Sequence, residues 1–203
     1  MSQKIDFKPG NMLYPLPAVM VSCGSGEQAN ILTVAWAGTV CSDPPMVSIS
    51  VRPERHSYAL IKESGEFVIN LPTEKLVRAL DYCGVRSGRD VNKWTDCGLT
   101  KLPSKTVSCP SVAESPVCIE CRVRSAQELG THTMFVAEVT AVRADSAYMT
   151  EKGSFRLNDA GLVTYSHGTY FSLGKALGTF GYSVKKETAR KGGAVKRKRR
   201  TNK

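Results

Sequence analysis

The sequence predicts a mainly β chain, a small closed antiparallel barrel with short flanking helices. Two observations predict it. Runs rich in Val, Ile and Thr recur at short intervals between Gly, Pro and Asp-Pro turn signals, which is the pattern of strands and hairpins. The runs do not alternate with helices in a βαβ order, so a doubly wound parallel sheet is disfavoured, and closure is the economical way to leave no open edge. The length of 203 residues, 41% of them hydrophobic, suits one globular domain with a full core.

Residues 17–22 (PAVMVS) read as a first strand, 23–28 (CGSGEQ) as a turn and 30–40 (NILTVAWAGTV) as a second strand, together a hairpin. Asp43-Pro44-Pro45 then breaks the chain, because proline withholds a ladder donor, and residues 46–51 (MVSISV) resume an alternating strand. Residues 56–63 (HSYALIKE) make a short helix ended at Gly65, followed by a strand over 66–71 (EFVINL). Leu76 and Leu80 have the spacing of one helix face, with Val77 beside them, so a helix is expected over 73–82 with Thr73 as its N-cap. After a Pro/Ser-rich loop, strands over 117–125 and 132–143, joined through Glu128-Leu129-Gly130, complete the antiparallel core. Roughly six strands and two helices result.

The net charge of +10 suggests nucleic acid until it is located. Residues 185–203 hold ten Lys and Arg against the single acid Glu187, so residues 1–184 carry a net charge of only +1. Such a Lys/Arg/Gly segment has little apolar surface to bury. The expected division is therefore a folded domain over 1–184 and a basic disordered tail over 185–203. The tail is either a solvated appendage or an arm for nucleic acid or an acidic partner. Only Tyr182 precedes it, so the interleaved aromatics that hold single strands are missing.

No run of about 18 apolar residues could span a bilayer, and the opening MSQKIDFKPG has no apolar signal core. A cytoplasmic protein without a membrane partner is expected. Seven cysteines in such a chain read as free thiols.

Three motifs fail on geometry. Residues 24–29 (GSGEQA) fit the dinucleotide fingerprint in letters, but a strand follows where the fingerprint needs a helix, so they read as a hairpin turn. Cys118 and Cys121 form C-x-x-C on a strand, where residues three apart face opposite sides, and no second pair completes a metal site. His56, His132 and His167 have no nucleophile partner nearby, and no Ser stands in G-x-S-x-G, so hydrolase chemistry is disfavoured.

The segment from Asn30 to Tyr58 carries more. An anionic ligand needs amides and hydroxyl or basic groups at the start of an element, and a flat heterocycle needs an apolar bed with amide contacts at its polar edge. The run NILTVAW offers Asn30, Thr33, Ala35 and Trp36. The run SVRPERHSY, which also contains Val51 and Tyr58, offers Ser50, Arg52, Arg55, His56 and Ser57 where a helix begins, its N-terminus favourable to an anion. Each also has an ordinary reading: a hairpin Asn, a buried strand Trp, an N-cap Ser.

In this order, NILTVAW, VCSDPPMVSISVRPERHSY, IKESGEFVINLP, DYCGVRSGRDVNKW, ELGTHTMFVAEV and YSHGTYFSLGKALGTFGYS resemble the flavin reductase-like FMN-binding family, and most closely its flavoredoxin branch, from about Met12 to Lys185. The resemblance implies a homodimer of Greek-key split barrels with FMN near the subunit interface. It sets Trp36 and the Ala35 backbone beside the flavin, with the Ser50–Tyr58 stretch holding the phosphate through Arg55, Ser57 and amides. It makes the loop Ser87-Gly88-Arg89-Asp90, with Lys93, the segment that closes on the flavin, and sets the lysine near the ring's N1/C2 edge, where it would stabilise the anionic reduced ring. It makes His132 the residue near the flavin or incoming hydride donor, and Tyr165 and Tyr170 aromatic covers. The implied activity is NAD(P)H-dependent reduction of flavin, ferric or protein acceptors. An electron carrier reduced by a redox partner protein is the alternative, and a nucleic-acid module built on the tail is a third class.

Overall fold

The computed structural model describes residues 2–184. Residues up to Leu173 form one compact unit, and residues from Gly174 belong to a second, whose described residues include a turn at Tyr182–Val184. The expected basic tail over 185–203 lies outside the described residues.

Among the described residues twelve strands and three α-helices follow one another: β1 Leu16–Pro17, β2 Val19–Cys23, β3 Asn30–Val34, β4 Ala37–Ser42, β5 Pro45–Val51, α1 His56–Ser64, β6 Glu66–Asn70, α2 Val77–Val85, α3 Lys93–Asp96, β7 Lys101–Leu102, β8 Ser111–Val112, β9 Val117–Leu129, β10 His132–Ala144, β11 Val163–Ser166 and β12 Thr169–Ser172. Seven strands form the main antiparallel sheet in the order β3-β2-β6-β9-β10-β5-β4. Its two edge strands, β3 and β4, are consecutive in the chain and joined only through Ala35 and Trp36, so the sheet curls into a Greek-key split barrel. The strand expected over 30–40 is thus two strands. The composition is β-favouring throughout and hides the break. Tertiary pairing makes it: the Ala37 amide turns back to the Ala35 carbonyl, and the Ser50 amide donates to the Trp36 carbonyl.

Both faces of β2 and β3 are buried, which explains their near-continuous apolar sequence. Alternate residues Val19, Val21, Leu32 and Val34 fill the barrel with Ile49, Phe67, Phe135 and Ile61 of α1. Met20 and Ile31 point outward against Leu76, Ala79 and Leu80 at α2, with Trp94 beside them. Gly65 ends α1 at φ 68, a left-handed cap that an L side chain rarely adopts. The expected helix over 73–82 begins instead as a tight turn at Glu74–Leu76 and is α-helical only from Val77 to Val85. Thr73 makes no side-chain cap, and the Glu74 amide donates to Gly161.

Strands β9 and β10 run longer than expected, to Leu129 and Ala144. A small sheet of β1, β11 and β12, missed in the sequence because its strands have only two or four residues, stands apart from the barrel sheet. Cys121 lies in the barrel core and Cys118 in a separate cluster with Cys109, so the C-x-x-C pair does face opposite ways. No helix among the described residues is long and apolar enough to cross a membrane.

Candidate functional site

The break between β3 and β4 opens a cleft of about 580 Å3 at the barrel's side. Trp36, released from the ladder at the bend, is 39% exposed, and its ring lies parallel to His132 with 2° between planes and 6.4 Å between centroids. His132 begins β10, and its Nδ1 shares a hydrogen bond of 2.9 Å with Thr131 Oγ1, which leaves Nε2 for another partner. Tyr165 and Tyr170, paired across β11 and β12 with ring centroids 5.5 Å apart, form another wall. The Tyr170 hydroxyl donates to Asp81 at 3.3 Å; burial and that carboxylate push its pKa up to about 12, so it stays protonated. Thr33 donates to the Leu80 carbonyl and fixes α2 against β3.

Leu32, Arg52 and Arg55 also line a second compartment, of about 390 Å3, so the cleft continues into it. Here the chemistry changes. The start of α1 opens into it with Arg55, His56 and Ser57, and Arg52, Arg86, Arg89 and Lys93 add charge against the single carboxylate Glu54. Buried Asn30 donates through Nδ2 to Ser57 Oγ at 2.9 Å, tying β3 to α1. Arg55 donates to Gly84 and Arg89 to the Glu54 carbonyl, each at 3.2 Å. A Cβ on Gly88 would stand 2.6 Å from Asn30 Cγ, so only bare backbone fits that approach.

Lys93 is the most constrained cation. It is 2% exposed, and its Nζ donates to the carbonyls of Ile31 at 2.7 Å and Cys83 at 2.8 Å. Burial lowers its pKa, and no carboxylate pairs with it among the described residues. Burial first, then Arg89 and Lys93, lower the pKa of His56 as well. The compartment is thus a preformed cationic pocket short of negative charge.

A flavin reductase-like domain model matches residues 12–174. The chain belongs to the flavin reductase-like family. A curated but uncharacterized relative from Pyrococcus abyssi is 33% identical over 161 residues, covering 79% of this chain and 92% of the relative. Flavoredoxin of Desulfovibrio vulgaris (Miyazaki F) superposes with a TM-score of 0.83 at 31% identity, covering 90% of this chain and all of that one. Flavoredoxin from Methanosarcina acetivorans gives a TM-score of 0.82 at 25% identity, over 91% of this chain and 100% of its own.

Within this flavin reductase-like chain the expected residues divide between the two compartments. Thr33, Ala35, Trp36, Ser50, Val51, Arg55, His132, Tyr165 and Tyr170 border the aromatic cleft. Asn30, Arg55, His56, Ser57, Ser87, Gly88 and Lys93 line the cationic one. Three expectations change. Tyr58 turns its ring toward Phe135, 5.6 Å between centroids, and accepts from Thr133 Oγ1, so it packs with the core instead of lining either compartment. Lys93 lies at the cationic end, held by two carbonyls, and does not border the aromatic cleft. Trp36 is not the buried strand residue of its ordinary reading.

Sequence reasoning missed Asp81, Gly84 and Arg86. Asp81, Gly84 and Val85 have the i, i+3, i+4 spacing of one helix face, a signal hidden because the expected helix stopped at residue 82. Arg86 lies just past it and gave no signal. No group of His, Cys, Asp and Glu among the described residues is placed to hold a metal.

Proposed function

We propose that the chain binds FMN with the ring in the aromatic cleft and the phosphate in the cationic compartment, and passes reducing equivalents from NAD(P)H to flavin, ferric or protein acceptors. The observation that carries this reading is Lys93, a buried ammonium with no carboxylate partner among the described residues, at the end of a cleft walled by Trp36, His132 and two tyrosines. A planar ring on a short chain ending in a dianion fits that order of surfaces.

Bound there, the flavin supplies hydride and electron transfer. The chain's residues supply position and charge. Arg55, Lys93 and the first amides of α1 hold the dianion, and the Asn30–Ser57 bond fixes the wall it rests on. Trp36 and the Ala35 backbone form the flat bed. His132 is placed to meet the ring or an incoming donor through Nε2. Tyr170 keeps its proton and covers the site.

A second reading, an electron carrier reduced by a partner protein, is favoured by the exposed rim of the cleft, where Trp36 is 39% and Val85 72% accessible. We also expect a homodimer that covers part of this rim.

The visible spectrum of the purified protein, recorded anaerobically before and after NADH or NADPH, tests both readings. Flavin bands that bleach promptly support the reductase. Bands that persist until dithionite is added support the carrier. No bands, even after FMN is supplied, would refute the flavin reading.

A further inference from the structure

Cys83 and Cys97 stand at the two ends of the segment that builds one side of the cationic compartment. Between them in the chain lie Arg86, Ser87, Gly88, Arg89 and Lys93, all of which line it. Several contacts draw the two ends together. The Lys93 ammonium, from the start of α3, donates to the Cys83 carbonyl at 2.8 Å, and the Cys97 amide donates to the Lys93 carbonyl at 3.2 Å. One residue earlier on each side, the Tyr82 hydroxyl donates to Asp96 Oδ2 at 2.7 Å. Cys97 packs against the apolar cluster that contains Cys83, and the Cys83 thiol donates a hydrogen bond to the Cys97 sulfur.

The two sulfurs differ in access. Cys83 is fully buried, whereas Cys97 is partly exposed. Burial pushes the Cys83 thiol up to about 12. Burial raises the pKa of Cys97 too, but the hydrogen bond from Cys83 works against that rise. Cys97 is therefore the sulfur that meets an oxidant, and Cys83 the one that resolves the product.

We propose that Cys83 and Cys97 form a reversible disulfide that staples the segment 84–96 around the cationic compartment. With hydrogen peroxide as oxidant, the Cys97 thiolate attacks one peroxide oxygen, the O–O bond breaks, and Cys97 becomes a sulfenic acid as hydroxide leaves with the thiol proton as water. The Cys83 sulfur then attacks the Cys97 sulfur. The S–S bond forms, the S–O bond breaks, and the departing hydroxide takes the Cys83 proton as a second water. Two thiols thus lose two electrons to one peroxide, and an external dithiol restores them by exchange. The bond itself does not depend on the flavin reading, but its effect on a ligand rests on that reading. A cross-link over a loop of about 15 residues restricts chiefly the open chain, so the arginines and Lys93 are held in the arrangement that a phosphate meets.

Peroxide treatment of the full-length protein, followed by peptide mapping without reduction, tests it. The expected result is a cross-linked pair of peptides carrying Cys83 and Cys97, which dithiothreitol separates. The oxidised protein should melt at least about 5 °C above the reduced one and bind FMN at least about threefold more tightly. Cys97→Ser, at the partly exposed position, should melt as the reduced protein does and lose the cross-link and both shifts. Peroxide that oxidises the partly exposed Cys41 while Cys83 and Cys97 stay free would overturn the proposal. So would a cross-link through other cysteines, such as Cys109 with Cys118, or a Cys83–Cys97 bond with no shift in melting. A cross-link and a melting shift in a protein that binds no FMN in either state would support the staple and refute the flavin reading.

Discussion

The two ends of the cleft are built differently. At the cationic end every key group is tied down: Lys93 to two carbonyls, Asn30 to Ser57, Arg55 to Gly84. At the aromatic end Trp36 is 39% exposed and meets His132 across parallel rings with no hydrogen bond between them. A preformed charge array pays its ordering cost at folding and so favours affinity, whereas an open ring platform leaves room for a second reactant.

The largest expected break of that comparison is Lys93→Met. It removes the buried charge and leaves the carbonyls of Ile31 and Cys83 without their donor, so FMN affinity should fall about a hundredfold and unfolding free energy by about 2–3 kcal/mol. Titration and denaturant melts of the same sample measure both, and an unchanged melt would show that the lysine is not structural. Next is Gly88→Ala. The added Cβ pushes on Asn30 and loosens its bond to Ser57, with about a tenfold loss for FMN and little for riboflavin, which has no phosphate. Equal losses for the two ligands would place the phosphate elsewhere.

At the other end Trp36→Ala should weaken FMN about threefold to fivefold, with stability changed by less than about 1 kcal/mol because the ring packs into neither main core cluster. A large drop in melting temperature would contradict the contrast drawn here. The smallest effect is on pH. His56 has a lowered pKa in the folded protein, so folding favours its neutral form. That contribution is complete above about 6.5, the unfolded value, and is lost as pH falls below it. A bound phosphate opposes the shift, so FMN binding should take up a proton in that window, and His56→Gln should abolish the uptake seen by calorimetry in two buffers.

Much of this was legible in the sequence where chemistry and local order coincide. Asn30, Ser57, Arg55 and Trp36, which line the two compartments, could be picked out because a β-branched run and a helix start put them at element ends. The strand break at Ala35–Trp36 was not, since nothing in VAWAG marks a break and only pairing with β5 makes one. Tyr58 was misassigned because it sits one residue past the site on α1, and a step of about 100° turned it into the barrel. Lys93 was found as a cation, but its two carbonyl partners lie 62 and 10 residues away in sequence, and no local pattern specifies them.

The two-residue link between β3 and β4 also bears on how the barrel breathes. The sheet's first and last strands meet at Ala35 and Trp36, and the same two residues floor the cleft. Any molecule lodged there spans the bend at which the chain passes from one edge of the sheet to the other. Loading the cleft should therefore slow amide hydrogen exchange at Val34, Ala37 and Ser50 more than in β6 or β9, so that the cofactor acts as a clasp on the barrel's seam.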